Sequence, residues 1–120
     1  MERDQASKFI NDLLRLMVTK KASDLFITVG FPPAIKVDGK VTPVSQQPLT
    51  PQHTQDLVRS VMNDRQAAEF ESSKECNFAI SPSGIGRFRV NAFVQDDLSG
   101  ASLFATAFLV RFDPRKGTLT

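Results

Sequence analysis

The fold of this chain is decided by the stretch GIGRFRVNAFV, residues 84–94. The two glycines indicate a turn, and the alternation of apolar and polar residues after them is typical of a β-strand, whose side chains point to opposite faces in turn. One face of this strand is apolar and carries Phe88, Val90, Ala92 and Val94. The other face carries Arg87, Arg89 and Asn91. The stretch therefore predicts a strand with one face in the core and one cationic face.

The cationic face has two interpretations. Next-nearest residues on a strand lie roughly 6.5–7 Å apart, so the guanidinium groups of Arg87 and Arg89 can reach one anion or two adjacent anions. Arginines on the solvent-exposed face of a sheet are also common where they have no function. The residue types alone leave both interpretations open.

Length and composition indicate a single globular domain. The chain has 120 residues and a net charge of +2, which is too small to predict nucleic-acid or membrane binding by overall charge. The single cysteine, Cys76, excludes an intramolecular disulfide, and its alternation with Phe78 and Ile80 predicts a buried, inert thiol. The N-terminal residues lack the pattern of a signal peptide. These features predict a soluble, cytoplasmic protein.

The rest of the chain predicts an α+β fold. Apolar residues with helical spacing predict a first helix from Phe9 to Val18 that runs on to Lys20 and Lys21. Thr50 and Pro51 are typical of a helix start, and a third helix is expected to end near Ser73. Strands are predicted at 24–29, 34–37, 40–42, 76–81, 87–95 and 101–112. Asp38 and Gly39 predict a two-residue hairpin between the second and third strands, and a turn is predicted at 96–100. The residues from 113 on are expected to be irregular. Helices on one face of a mainly antiparallel sheet follow from this order.

The sequence contains no complete catalytic motif. There is no G-x-x-x-x-G-K-[ST] phosphate loop, and Arg89 stands where a G-x-G-x-x-G fingerprint needs its third glycine. His53 has no second histidine or cysteine at metal-ligand spacing, which predicts no metal site. Any anion held by the arginines therefore needs further groups from elsewhere.

Four motifs in a particular order carry a resemblance to a known family. They are ASDLFI at 22–27, PP at 32–33, VDGK at 37–40 and GIGRFRVNAF at 84–93. Together they resemble the N-terminal domain of the PilT/PilU family, the twitching-motility ATPases that retract type IV pili. The resemblance covers residues 7–103. Phe26 stands where PilT-type members carry histidine, which favours the PilU branch.

The resemblance implies a PAS-like α+β domain over residues 1–103, with 104–120 as a divergent last strand and tail. In the family this domain precedes a RecA-like ATPase domain with Walker motifs, which is absent from this chain, so the resemblance implies no catalytic residues and no bound cofactor here. The full-length family uses ATP and Mg²⁺ and forms hexameric rings, in which the N-terminal domain packs on a neighbouring ATPase domain. It works in the cytoplasm, at the inner-membrane platform of the pilus machinery.

The resemblance also gives the cationic strand a role. Arg87, Arg89 and Asn91 are expected to face the nucleotide of an adjoining ATPase domain, or to lie in that interface. The family usually has a basic residue after Gln95, where this chain has Asp96. The basic residue of the family's last strand is not assigned to Arg111.

Two other functions compete with this expectation. One is a free-standing PAS-like domain that senses a small ligand or binds a protein. The other is RNA binding, which needs an aromatic ring beside the arginines. Phe88 is predicted to point into the core instead, so the sequence predicts no nucleic-acid partner.

Overall fold

A computed structural model describes residues 2–96 and 104–112. The helices are α1 (Arg3–Lys20), α2 (Pro51–Ser60) and α3 (Asp64–Ser73). The strands are β1 (Asp24–Thr28), β2 (Ala34–Val37), β3 (Lys40–Pro43), β4 (Glu75–Ile80), β5 (Phe88–Asp96) and β6 (Phe104–Phe112). The predicted turn at 96–100 starts too early, because Asp96 is the last residue of β5, and its other residues, like the tail from 113, lie outside the described residues.

The described strands form one sheet in the order β3-β2-β1-β6-β5-β4. All neighbouring strands are antiparallel. β6 is the last strand in the chain, yet it lies between β1 and β5 in the middle of the sheet. The predicted α+β fold with a mainly antiparallel sheet is confirmed.

One face of the sheet is packed against the helices. Two rows of side chains cross the three central strands on this face, Leu25, Val110 and Val90 in one row and Ile27, Phe108 and Ala92 in the next. All six are buried. The helices add apolar side chains to the same core, among them Leu14, Met17, Leu57, Val58 and Phe70. Burial of this apolar surface is the main force that holds helices and sheet together.

The helix ends follow the local sequence. The Thr50 hydroxyl accepts a hydrogen bond from the backbone N–H of His53 at 3.1 Å, with Pro51 in the first helical position, as predicted. Asn63 caps α3 through a reciprocal pair of bonds with Gln66, which explains why the second helical segment ends before residue 63. Asp38 and Gly39 both have positive φ, 51° and 78°, as the predicted two-residue hairpin requires.

Two details differ from the predictions. The strand after the glycines begins at Phe88 and leaves out Arg87, which the alternation placed in it, because residues 83–85 form a turn and Gly86 has a φ of 148°. Val18, which the helical spacing placed on the apolar face of α1, is 41% exposed. It lies in the last turn of α1, close to the chain reversal at Lys21.

Candidate functional site

The face of the sheet opposite the core, here called the open face, carries a row of charged side chains. Residues directly opposite each other on neighbouring strands point to the same face. Asp24 is opposite Lys36 on β2 and opposite Arg111 on β6. Arg111 is in turn opposite Arg89 on β5. Three cations and one carboxylate therefore follow one another across four strands.

A second row runs beside the charged row. It consists of Phe26, Leu109, Asn91 and Asn77. The two rows surround a shallow depression of about 330 Å³, whose lining on the open face is Asn77, Arg89, Asn91, Leu109 and Arg111. The depression thus combines two guanidinium groups and two side-chain amides beside an aliphatic side chain, and the first four of these groups donate hydrogen bonds.

Arg111 is held in place by Asp24. The Arg111 Nε–H donates to Asp24 Oδ1 at 3.0 Å, and the Ser23 hydroxyl donates to Asp24 Oδ2 at 2.7 Å. The Asp24 side chain is only 11% exposed, whereas the Arg111 side chain is 68% exposed. The carboxylate therefore holds the stem of Arg111, and the two terminal NH₂ groups remain on the solvent side.

Arg89 is in a different situation. It is exposed, is the second residue of β5 and lines the depression. Among residues 2–96 and 104–112, no carboxylate lies within ion-pair distance of its guanidinium group. Its hydrogen-bonding capacity is available to an incoming anion.

The structure brings together two of the three residues that the sequence proposed. Arg89 and Asn91 both line the depression. Arg87 precedes β5, is half-buried and interacts with another group of the protein, and it does not line the depression. Phe88 is 0% exposed and packs edge-on against Phe112, with ring centroids 5.6 Å apart, so it offers no ring for base stacking.

Three residues of this surface were not found from the sequence. Arg111, Asn77 and Asp24 belong to strands that are far apart along the chain, and Asp24 and Arg111 are separated by 87 positions. The alternation in β1 and β4 indicates that Asp24 and Asn77 point away from the core. It does not indicate which strand lies next to which, so no local signal groups these residues with Arg89.

The other reactive groups do not form a second site in the part of the chain that the structure describes. Cys76 is buried as predicted, with its Sγ 3.6 Å from Glu69 Oε2. Burial, reinforced by the Glu69 carboxylate, raises the pKa of the Cys76 thiol, which keeps it protonated and unreactive. Residues 2–96 and 104–112 contain no group of three or more potential metal-binding side chains. Nor do these residues form any helix whose length and apolar character suit a membrane span.

The fold is shared with part of two ATPases of known structure. Over 90% of this chain and 29% of the other, it matches the structure of the Legionella pneumophila ATPase DotB with a TM-score of 0.77 and 22% identity. Over 83% of this chain and 27% of the other, it matches the pilus retraction motor PilT with bound ADP, with a TM-score of 0.69 and 31% identity. No family model matches the chain. The fold is therefore that of one domain of such ATPases.

Curated relatives identify the family. The chain is 57% identical over 91 residues, 76% of its length, to the type IV pilus ATPase PilU of Pseudomonas aeruginosa. It is 40% identical over 92 residues, 77% of its length, to PilT of the same organism. The chain spans about a quarter of the length of these relatives. It belongs to the PilT/PilU family and corresponds to its N-terminal domain, as the motifs predicted.

Proposed function

We propose that this domain supplies arginine side chains to the nucleotide of an adjoining ATPase domain within a hexameric pilus retraction motor. Support comes from two sides. The relatives are named as type IV pilus ATPases, and the matched PilT structure holds ADP. The observation that carries the proposal is Arg89, an exposed arginine without a carboxylate partner among the described residues, on a strand that is paired on both sides.

The chemistry of phosphoryl transfer explains why such an arginine is useful. Negative charge is spread over the phosphate oxygens as the bond breaks, and a guanidinium group held in the right place stabilises that charge. A strand hydrogen-bonded on both sides holds the backbone of Arg89 more rigidly than a loop does. Asn91, two residues further on, adds an amide donor on the same face. Arg87 lies before β5 and outside the depression, and in this proposal it contributes to the interface with the adjoining domain.

In this proposal the reaction itself belongs to the ATPase domain. ATP and Mg²⁺ bind there, and the present domain provides charge stabilisation and inter-subunit packing but no nucleophile or base. The full motor acts in the cytoplasm, at the inner-membrane platform of the pilus machinery. The domain alone is then expected to show no ATP turnover.

The test uses a full-length motor in which this domain replaces the matching region of Pseudomonas aeruginosa PilU. Arg89→Ala, alone or with Arg87→Ala, is expected to lower the ATPase rate by a factor of about 10 or more, because a charge contact to the transferring phosphate is lost. Arg15→Ala is the matched control, since Arg15 is an exposed arginine that pairs with Asp12 on α1. An ATPase rate and twitching motility unchanged by the double substitution would contradict the proposal.

A further inference from the structure

Arg89 and Arg111 are a pair of like charges placed directly opposite each other on neighbouring strands. Such a pair is unfavourable unless another group compensates it. The compensating carboxylate found within ion-pair distance, Asp24, binds Arg111 and not Arg89. The three side chains together keep a net positive charge, and Lys36 on β2 adds to it. The open face is therefore locally suited to an anion.

The contacts of Asp24 set the position of Arg111. Each carboxylate oxygen has a partner, Ser23 on one side and Arg111 on the other. Because Asp24 is almost fully buried at the start of β1, it has little freedom to turn away. Since it binds Nε, the terminal NH₂ groups of Arg111 stay available beside Arg89, and both side chains line the same depression.

We propose that Asp24 is a positioning residue, which holds Arg111 beside Arg89 so that the two guanidinium groups clamp one phosphate group. Asn77 and Asn91 lie directly opposite each other on the adjacent strands and add amide donors at the edge of the clamp. This inference rests on the proposed function, because it extends the same site by Asp24, Asn77 and Arg111. The ligand class follows from the donors, since guanidinium forks match the tetrahedral oxygens of a phosphate ester or a polyphosphate.

Positioning of Arg111 and simple electrostatics have opposite consequences for anion binding when Asp24 is removed. If Asp24 acts only through its negative charge, its removal strengthens anion binding. If Asp24 positions Arg111, its removal weakens binding although the site becomes more positive. An asparagine at the same place keeps an oxygen that accepts from the Arg111 Nε–H, so it is expected to preserve the position of the arginine.

The experiment is a titration of the ¹⁵N-labelled 120-residue chain with sodium tripolyphosphate at constant ionic strength. It follows the Nε–Hε signals of Arg89 and Arg111 by NMR. Asp24→Ala is expected to weaken binding about fivefold through loss of one positioned charge-assisted contact, whereas Asp24→Asn stays within about twofold of the unmodified chain. Arg111→Lys, which keeps the charge but has no Nε donor, is expected to weaken binding as much as Asp24→Ala. Lys20→Ala removes one positive charge at the end of α1, away from the depression, and so measures how much the loss of a distant charge alone changes the affinity.

The outcomes test the positioning role of Asp24 and the nucleotide-facing role of Arg89 separately. Binding that is unchanged or tighter in Asp24→Ala overturns the positioning role. If Asp24→Ala does not fold, Arg111→Lys decides, and an unchanged affinity in that variant overturns the clamp. Arg89→Ala distinguishes the nucleotide-facing role of Arg89 from the positioning role of Asp24. If Arg89→Ala loses binding and Asp24→Ala does not, only the positioning role of Asp24 is overturned. Binding that survives Arg89→Ala, or no saturable shift in the unmodified chain, counts against the nucleotide-facing role of Arg89 as well.

Discussion

The position of β6 is tested by removing one core side chain from it. Phe108 is 2% exposed and lies between Ile27 and Ala92 in the core row. Phe108→Ala removes a buried ring, which costs about 3–5 kcal/mol in the free energy of unfolding. Native domains of this size are stable by about 5–15 kcal/mol, so the substitution removes roughly a fifth or more of the total. The melting temperature is expected to fall by roughly 10–20 °C.

The adjacent residue provides the matched control. Leu109 is half-buried on the open face, opposite Phe26 and Asn91, and Leu109→Ala is expected to cost less than about 1.5 kcal/mol. Urea unfolding followed by circular dichroism measures both variants, with the m-value as a check that the unfolded state is unchanged. A shift of β6 by one residue exchanges the two faces. Equal losses in both variants, or a larger loss in Leu109→Ala, would refute the register described here.

Three further predictions concern the helix cap, the hairpin and the cysteine. Thr50→Ala is expected to destabilise the protein by about 1 kcal/mol through loss of the hydrogen bond to the His53 N–H, and Thr50→Ser to restore most of it, both measured by urea unfolding. Gly39→Val is expected to cost about 1 kcal/mol or more, because φ at this position is 78°, whereas Gly39→Asn, which tolerates positive φ, costs less by the same measurement. The raised pKa of Cys76 means that the folded state keeps the thiol protonated longer than the unfolded state does. The thiol therefore stabilises the fold fully below its pKa in the unfolded state, and this contribution is lost as pH rises through its pKa in the folded state. The free energy of unfolding of the unmodified chain, relative to that of Cys76→Ala, should decline with pH in that alkaline range. A difference that stays constant with pH would show that the thiol is not protected by burial.

Features that depend on neighbouring residues were predictable from the sequence. The Asp38-Gly39 hairpin, the Thr50 cap and the alternation in 88–94 each depend on the conformational preferences of a few adjacent residues, and the structure contains all three. The exception is the start of β5, where the alternation placed Arg87 in the strand on the same face as Arg89, whereas β5 begins at Phe88. The turn at 83–85 ends the pairing earlier and leaves Arg87 outside the depression.

By itself, the sequence determined which side chains of each strand point to the core and which to solvent, because that depends only on the two-residue period of a strand. It thereby placed Arg89 and Asn91 on the solvent face of β5. Only the tertiary structure decided their neighbours. The order of strands is set by long-range pairing, which brings β6 between β1 and β5 and joins Asp24 to Arg111 across 87 positions. Alternation along one strand carries no information about that pairing. The candidate site on the open face therefore exists only in the folded sheet.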